Sequence, residues 1–356
     1  MSILLTLVLL SLLVVVHELG HFLAARLFGV RVLEFSVGFG PLLAKAIRRG
    51  TQYSLRGIPL GGYCKLSGMD LVLEGEAAPE ASKEPGSLRN LPAWKKAIIV
   101  LAGPVNNFLI AALIITIMLA AVGAPKGVDK RPLIGNVDPK SPGYEAGLSA
   151  NDLVTALNGK PITLWTELVN GVRASKGEPV SFTILRQGHT FDRTMQPFYD
   201  PEYKVYRLGI YPRYIFARLS LGQSIKSGFT SIYWVSASIV QLIGKGLTGK
   251  ARVPLSGPVG VVGAVDQSFK AGPWWILQLL ASISLFLALF NLLPIPLPIL
   301  DGGWVAIYLI EWLRGREFTG EQKAAAQFFG LIVMAAFFVF VTYGDVLTGF
   351  RRFLNR

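Results

Sequence analysis

Long apolar runs alternate with polar segments along this chain. Four of the runs lie at residues 3–28, 97–122, 274–293 and 328–343. A membrane span needs about 20 apolar residues, a length that the fourth run reaches with a few flanking residues. The first run has neither a basic start nor a small-residue cleavage site, so we expect a retained helix rather than a signal peptide. The pattern predicts a polytopic α-helical membrane protein with about four transmembrane helices in a lipid bilayer.

The segments between the runs differ in kind. Residues 29–96 begin with an alternating stretch that contains Gly61-Gly62, which predicts strands or a hairpin at 53–66, followed by a flexible loop at 74–89. Residues 126–214 mix polar positions with short strand-like runs and one predicted helix, as is typical of a small soluble domain. Residues 215–247 are amphipathic, so we expect a helix in the membrane interface rather than a fifth span.

These patterns divide the chain into parts of different character, and we find no internal repeat. We expect a first transmembrane helix at 1–28, a β-hairpin and loop at 29–96, a second transmembrane helix at 97–122, an inserted domain at 123–214, an interfacial region at 215–272, a third transmembrane helix with its following segment at 273–303, a short helix and loop at 304–325, and a fourth transmembrane helix with the tail at 326–356.

Composition and charge agree with a membrane protein. Hydrophobic residues make up 52% of the 356 positions and charged residues only 16%, whereas about 25% of residues in soluble domains are charged. The net charge of +13 comes from Lys and Arg scattered between the apolar runs. Because no dense basic stripe is present, we expect these charges to flank membrane spans and expect no nucleic-acid partner. The single cysteine, Cys64, excludes an internal disulfide.

Ionisable residues interrupt the first apolar run at His17-Glu-Leu-Gly-His21. Residues four apart share one face of a helix, so His17 and His21 can bind one zinc ion there. Glu18 lies beside them, where it can accept a proton from an activated water molecule. The alternative is that both histidines are ordinary core residues, but each unpaired ionisable group in a membrane costs a few kcal/mol. The remaining histidine, His189, falls in the inserted domain and is assigned no role.

A catalytic zinc ion usually has three protein ligands and an open position, so a third ligand must come from elsewhere. Asp301 follows a segment with prolines at 294, 296 and 298, which cannot continue the helix of the third run. Irregular backbone at membrane depth is buried in protein or lines a cavity, so Asp301 could face a polar pocket. The residues alone leave open the alternative that Asp301 caps the next helix.

Depth along the spans favours Asp301 as a ligand. His17 lies about fourteen residues into the first run, which is ~21 Å at 1.5 Å per residue. The histidines therefore approach the side that carries residues 29–96. The third run starts on the side of the inserted domain and ends on the opposite side. Asp301 and the histidines thus reach the same side of the membrane.

These residues together resemble the site-two protease family of intramembrane zinc metalloproteases, in particular its bacterial RseP-like branch. The resemblance covers nearly the whole chain and rests on features in this order: His17 to His21, Pro59-Leu-Gly-Gly-Tyr-Cys-Lys65, Leu101-Ala-Gly-Pro-Val-Asn-Asn-Phe108, a PDZ-like domain, Ser256-Gly-Pro-Val-Gly260, and residues 291–303. The H-E-x-x-H motif alone occurs in many zinc proteases, but its combination with residues 291–303 is highly specific. Ser141-Pro-Gly-Tyr-Glu-Ala-Gly-Leu148 and residues 151–159 carry the likeness to a PDZ domain.

The resemblance implies Zn²⁺ held by His17, His21 and Asp301, with Glu18 as the general base. Asn291 matches a family asparagine that holds the substrate or the developing oxyanion. The chain would be a multi-pass protein of the bacterial inner (cytoplasmic) membrane, with its active site near the cytoplasmic side and its PDZ-like domain opposite. Its partners would be single-span regulatory proteins, such as membrane anti-sigma factors, cut within their transmembrane segments. The PDZ-like domain would contact a peptide or an ectodomain.

The chain departs from the family pattern at three places. It has room for one PDZ-like domain, whereas many RseP-like proteins carry two. Asn151 replaces a usual glycine, and Trp304 stands where a histidine commonly follows Asp-Gly-Gly. Neither replacement falls on an expected zinc ligand, but the departures weaken any inference about regulation that is drawn from the family.

Three alternatives remain open at this point. Another membrane zincin, such as a prenyl-protein protease, would lack the segment around Asp301. A transporter would need paired repeats in its two halves. A catalytically inactive membrane PDZ scaffold would have no need for Glu18. Counts of Lys and Arg near the span ends are similar on both sides, so charge does not decide orientation.

Overall fold

Four helices among the described residues are long and apolar enough to cross a membrane: Ile3–Leu27, Ala93–Ala121, Pro273–Asn291 and Gly320–Gly344. The computed structural model describes residues 2–69, 84–139, 141–200, 204–248, 257–293 and 300–354. Most of the loop expected at 74–89, Ser256, and the prolines at 294, 296 and 298 lie outside these residues. The prediction of about four transmembrane helices with a β-hairpin region and an inserted domain is confirmed.

Helices and strands follow one another along the chain as follows. The helices are α1 (Ser2–Leu27), α2 (Ala93–Ala121), α3 (Pro142–Glu145), α4 (Trp165–Ala174), α5 (Leu221–Leu247), α6 (Pro258–Ala271), α7 (Pro273–Asn291), α8 (Asp301–Arg314) and α9 (Gly320–Leu354). The strands are β1 (Val32–Arg48), β2 (Thr51–Leu66), β3 (Ala124–Val128), β4 (Ile134–Val137), β5 (Leu153–Leu157), β6 (Lys160–Pro161), β7 (Val180–Arg186), β8 (His189–Met195), β9 (Phe198–Asp200), β10 (Val205–Arg207), β11 (Ile210–Pro212) and β12 (Tyr214–Ala217). Two compact units result: Met1–Met118 with Leu221–Arg356, and Leu119–Ser220.

Small residues bring the helices of the first unit close together. Gly20 of α1 lies directly against the backbone carbonyl of Ala102 on α2, where no Cβ would fit. Farther along α2, Ala111 and Ala112 pack with Leu285 of α7 and Ile232 of α5. Small residues allow this close approach because helix backbones in a membrane associate by van der Waals packing.

The β1–β2 pair contains the reversal that was predicted within residues 53–66 and a second turn that was not predicted. Residues 34–37 of β1 pair with residues 52–55 of β2 on one side and with residues 62–65 on the other, so β2 reverses between residues 55 and 62. The second turn falls at Arg49-Gly50, where both residues have positive φ. Gly61 also donates its backbone N–H to Ser11 Oγ of α1 at 2.9 Å. The two glycines therefore let β2 lie against α1, a role that the local sequence pattern did not indicate.

The inserted unit has its own sheet and core. Its four-stranded sheet has the order β6-β5-β7-β8, and three further strand pairs are β4–β11, β3–β12 and β9–β10. The core contains Ile134, Val154, Leu168, Phe182 and Ile184, each at most 1% exposed.

Two details of the inserted unit bear on the sequence expectations. Strand β12 pairs with β3, so the unit extends beyond residue 214, and the helix expected from residue 215 begins only at Leu221. Asn151 has a φ of 72°, a left-handed conformation in which asparagine is the usual substitute for glycine. The replacement of glycine at this position therefore preserves the turn.

Asp152 is a buried charge that connects β5 to β7 within the inserted unit. Its carboxylate accepts hydrogen bonds from Arg186 Nε at 2.6 Å and Nη2 at 2.7 Å, and from the backbone N–H of Ser149 at 2.8 Å. Burial raises the pKa of Asp152, but the bonds from Arg186 and Ser149 outweigh this effect, so the pKa lies below its usual value. The charged form is therefore stabilised by folding.

We expect Asp152→Asn to destabilise the inserted unit by about 2 kcal/mol, because hydrogen bonds to a charged group contribute about 1.5–3 kcal/mol. Amide hydrogen exchange of β5 and β7 in the full chain should accelerate roughly 30-fold at neutral pH. Because the pKa of Asp152 is lower in the folded state than in the unfolded state, its ionised carboxylate stabilises the unit at pH values above the unfolded-state pKa of about 3.9. This stabilisation is lost as the pH falls below that value. The exposed Asp192→Asn is the control. Equal exchange in Asp152→Asn and wild type at pH 7 would contradict the assignment.

Candidate active site

Two histidines of α1 face the same point. His17 and His21 are one helical turn apart, and their Nε2 atoms lie 3.2 Å from each other. The side chains are only 8% and 11% exposed. Their rings meet edge to face, with centroids 4.9 Å apart. The helical spacing of the motif therefore places both imidazoles on one buried face of α1.

Asp301, the first residue of α8, completes this cluster. Its Oδ2 lies 2.9 Å from His17 Nε2, and its Oδ1 lies 3.5 Å from His21 Nε2. The N-cap of α8 is Leu300, and no side-chain hydrogen bond caps the helix. The alternative in which Asp301 serves as a helix cap is therefore not supported, since its carboxylate faces the histidines.

The three side chains fit a zinc ion. Zinc binds nitrogen and oxygen ligands at about 2.0–2.2 Å with tetrahedral geometry, so neighbouring ligand atoms lie about 3.3 Å apart. The two Nε2 atoms here lie 3.2 Å apart, Asp301 Oδ2 lies 2.9 Å from His17 Nε2, and Asp301 Oδ1 lies 3.5 Å from His21 Nε2. One ligand atom from each residue falls within 4.8 Å of the other two. Asp301 Oδ2 is also a buried acceptor with no hydrogen-bond partner among the described residues. A bound cation would satisfy it. In the described part of the chain, this is the one group of His, Cys, Asp or Glu able to hold a metal ion.

Glu18 lies beside the cluster, close to β2 of the hairpin. Its carboxylate is near the backbone of Cys64 on β2. The strand therefore borders the glutamate next to the two histidines. Sequence reasoning placed Glu18 correctly next to the histidines but missed its contact with Cys64.

Helix α2 contacts the far side of both imidazoles, which sequence reasoning did not predict. His21 Nδ1 lies 2.9 Å from the carbonyl oxygen of Ile99, and His17 Nδ1 lies 3.3 Å from the side-chain amide of Asn107. Between them, Gly103 faces both rings. The signal in the sequence was a pair of amides, Asn106 and Asn107, in an otherwise apolar run.

Asn291 stands at the end of α7, where its Nδ2 lies 3.4 Å from His17 Nε2. The structure therefore brings together all five residues that the sequence marked for this site, namely His17, Glu18, His21, Asn291 and Asp301. Ser284, two turns earlier on α7, donates its hydroxyl to the backbone carbonyl of Asn107 at 2.9 Å. This bond fixes α7 to α2 close to the cluster. His189, which received no role, is exposed on β8.

A separate groove lies on the inserted unit between α4 and residues 205–210. Its volume is about 310 Å³, and its lining combines apolar side chains with two arginines: Trp165, Leu168, Val169, Val172, Arg173, Val205, Tyr206, Arg207, Leu208 and Ile210. A helix and a strand bordering an apolar groove provide a place for an extended peptide.

The fold and the site define a class: membrane-embedded zinc metallopeptidases with an inserted PDZ-like domain. The model of Peptidase family M50 matches residues 5–337, and the chain belongs to this family. Family membership and the names of the relatives below establish zinc as the cofactor and the chain as a metalloprotease of the site-two type. The transporter, the other membrane zincin and the inactive scaffold are thereby set aside.

Three relatives align over almost their full length. The zinc metalloprotease RasP of Geobacillus kaustophilus is 28% identical, with 94% of this chain and 95% of the relative covered. A zinc metalloprotease of Clostridium acetobutylicum is 29% identical, with 94% of each chain covered. One from Fusobacterium nucleatum is 31% identical, with 97% and 98% covered. A PDZ domain of an SdrC-like protein from Listeria monocytogenes matches 24% of this chain and 92% of its own, with 16% identity and a TM-score of 0.22.

Gly103→Ala should weaken zinc binding by at least about tenfold, the lower range for disturbed ligand orientation. A Cβ at this position would overlap the imidazole of His21 and lie 2.8 Å from His17 Nε2. Metal analysis of the purified chain against a competing chelator measures the effect. Gly244→Ala on α5 is the matched control, because no atom lies within 4 Å of the added Cβ. Wild-type zinc affinity in Gly103→Ala would show that the rings can shift without loss.

Proposed function

We propose that this chain hydrolyses peptide bonds within the transmembrane segments of single-span regulatory proteins, such as membrane anti-sigma factors. The observation that carries the proposal is the buried convergence of His17, His21 and Asp301, with two of these residues inside a candidate membrane span. A protease whose metal ligands lie within such a span acts on segments that enter the membrane. The proposed location is the bacterial inner membrane, with the site near the cytoplasmic side.

His17, His21 and Asp301 are the proposed zinc ligands in this mechanism. When bound, the ion polarises the scissile carbonyl and lowers the pKa of water. Glu18, which lies beside the histidines and near Cys64, accepts the proton of the attacking water and passes it to the leaving amine. Asn291 Nδ2, which lies 3.4 Å from His17 Nε2, donates a hydrogen bond to the developing oxyanion.

A substrate helix has to unwind before its backbone can reach these groups, because each helical peptide bond is hydrogen-bonded within the helix. The β1–β2 hairpin offers a partner for the unwound strand. Residues 62–66 of β2 pair on one side with residues 32–37 of β1, and among the described residues their other side has no strand partner. An extended segment can add to such an edge through main-chain hydrogen bonds. Cys64 on β2 places this edge next to Glu18.

Glu18→Gln and Asp301→Ala should separate the proton-transfer role from the ligand role. Glu18→Gln should retain stoichiometric zinc yet lose cleavage by about 10²–10⁴-fold, since only proton transfer is removed. Asp301→Ala should lose both zinc and cleavage, because two protein ligands remain. Metal analysis of each purified variant is paired with cleavage of a tagged single-span substrate in co-expressing cells.

Either of two results would contradict these roles. Wild-type turnover in Glu18→Gln would exclude Glu18 as the base. Full zinc content in Asp301→Ala would show that another residue completes the site. Asp192→Asn, on an exposed strand of the inserted unit, serves as the control for the loss of one carboxylate.

We also propose that the PDZ-like unit restrains cleavage and takes no part in the chemistry. Along the chain, the hairpin precedes α2 and the inserted unit follows it, so one span separates them. In the proposed topology, the hairpin and the inserted unit therefore emerge on opposite faces of the membrane. The groove beside α4 presents apolar side chains with Arg173 and Arg207, which suits a chain end or an extended peptide. Such contact would select which substrate helices enter.

Replacing residues 124–217 with a short flexible linker should abolish this selection while leaving the chemistry. Ala124 and Ala217 pair at the base of the unit, so a short linker can join the flanking helices. We expect the pre-trimmed substrate to be cut as before and the full-length substrate now to be cut as well. Loss of both activities in a folded, zinc-loaded variant would contradict the proposal. Val169→Glu, which places a charge in the groove, distinguishes peptide capture from steric exclusion.

A further inference from the structure

The second nitrogen of each zinc-binding imidazole is contacted by the same helix. His21 Nδ1 faces the carbonyl of Ile99, and His17 Nδ1 faces the amide of Asn107. Ile99 and Asn107 lie two turns apart on α2, which runs alongside α1 through the contact of Gly20 with Ala102. Helix α2 therefore supplies no proposed zinc ligand but contacts both histidines that do.

The contact to His21 fixes the position of its ring proton. A backbone carbonyl can only accept, so the nitrogen 2.9 Å from Ile99 O must carry the proton. In a neutral imidazole the other nitrogen, Nε2, then keeps its lone pair free. This lone pair is the one directed at Asp301 and His17. A carbonyl on α2 thereby prepares His21 to bind a metal ion through Nε2.

For His17 to bind a metal ion through Nε2, its Nδ1 must likewise carry the ring proton. The amide atom recorded 3.3 Å from His17 Nδ1 is Nδ2, while Oδ1 of Asn107 is buried without a hydrogen-bond partner among the described residues. A half-turn of the amide exchanges these two atoms at almost no change in shape. With Oδ1 facing Nδ1, Asn107 accepts the ring proton, and His17 Nε2 keeps its lone pair. With Nδ2 facing Nδ1, the proton would sit on Nε2 and block the metal.

We propose that Asn107 is a positioning residue that accepts the Nδ1 proton of His17 and thereby holds Nε2 free for zinc. This inference rests on the proposed role of His17 as a ligand. Asn107 is fully buried within a candidate span, where an amide without a role would be costly. Its backbone carbonyl is bound by Ser284 of α7, so the residue cannot easily turn away. The neighbouring Asn106 differs, because its amide donates to the backbone carbonyl of Val16.

The histidine content makes the proton position measurable. The chain has three histidines, and His189 is exposed in the inserted unit, so it serves as an internal reference. Full-length, zinc-loaded protein labelled with ¹⁵N-histidine should show ring protons on Nδ1 for both His17 and His21. His189→Gln assigns the reference signals. A protonated Nε2 on His17 in the wild type would overturn the proposal whatever the variants do.

Substitutions at Asn107 then separate hydrogen bonding from packing. Asn107→Leu, of similar size but without an acceptor, should weaken zinc binding about 10–100-fold and lose the protected Nδ1 proton signal of His17. Asn107→Asp, which keeps an acceptor, should retain both. Asn106→Leu removes an amide from the same helix and should weaken zinc binding less than Asn107→Leu. Wild-type zinc affinity in Asn107→Leu, or equal weakness in Asn107→Leu and Asn107→Asp, would refute the role.

Failure of this inference can be told apart from failure of the proposed function. If the wild type binds no stoichiometric zinc, or if Asp301→Ala keeps it, the proposed ligand set is wrong. If the wild type binds zinc through Asp301 while Asn107→Leu behaves as wild type, only the role of Asn107 is wrong. The wild-type proton position is informative even when Asn107→Leu does not fold.

Discussion

A polar group inside a membrane must find its partner within the protein, and this requirement organises the whole membrane unit. His17, His21 and Asp301 lie far apart in sequence, yet their ligand atoms come within 4.8 Å of one another. Each would cost several kcal/mol if buried alone. Their convergence on one proposed metal position therefore holds α1 to α8. Asn107, Ser284 and Asn291 extend the same requirement to α2 and α7.

Such convergence is possible only where helix backbones approach closely. Gly20 brings α1 onto the Ala102 carbonyl, and Gly103 leaves room for both imidazoles. Gly302, next to Asp301, lies against backbone atoms of Leu292 and Leu293 at the end of α7. A side chain at any of these positions would push apart the elements that carry the proposed zinc ligands. The glycines are thus as necessary to the site as the polar residues, although they contribute no chemistry.

Local patterns predicted what depends on a single element. Hydropathy gave the four spans, and the spacing of His17 and His21 placed both on one face of α1 because residues four apart share a face. The place of Asp301 followed from counting spans. The roles of Ile99, Gly103 and Asn107 could not be predicted, since they depend on how α1 and α2 slide and rotate against each other. The turn at Arg49-Gly50 was missed because Gly61-Gly62 carries the stronger local turn signal.

Trp304 shows how the site accommodates a departure from the family pattern. It stands where a histidine commonly follows Asp-Gly-Gly, yet it is only 5% exposed and packs with Val100 and Tyr308. Val100 follows Ile99, whose carbonyl receives the His21 proton. The aromatic ring at this position therefore packs against the turn of α2 that contacts His21. The proposed zinc ligands do not depend on a further imidazole here, because α2 provides polar contacts to both histidines.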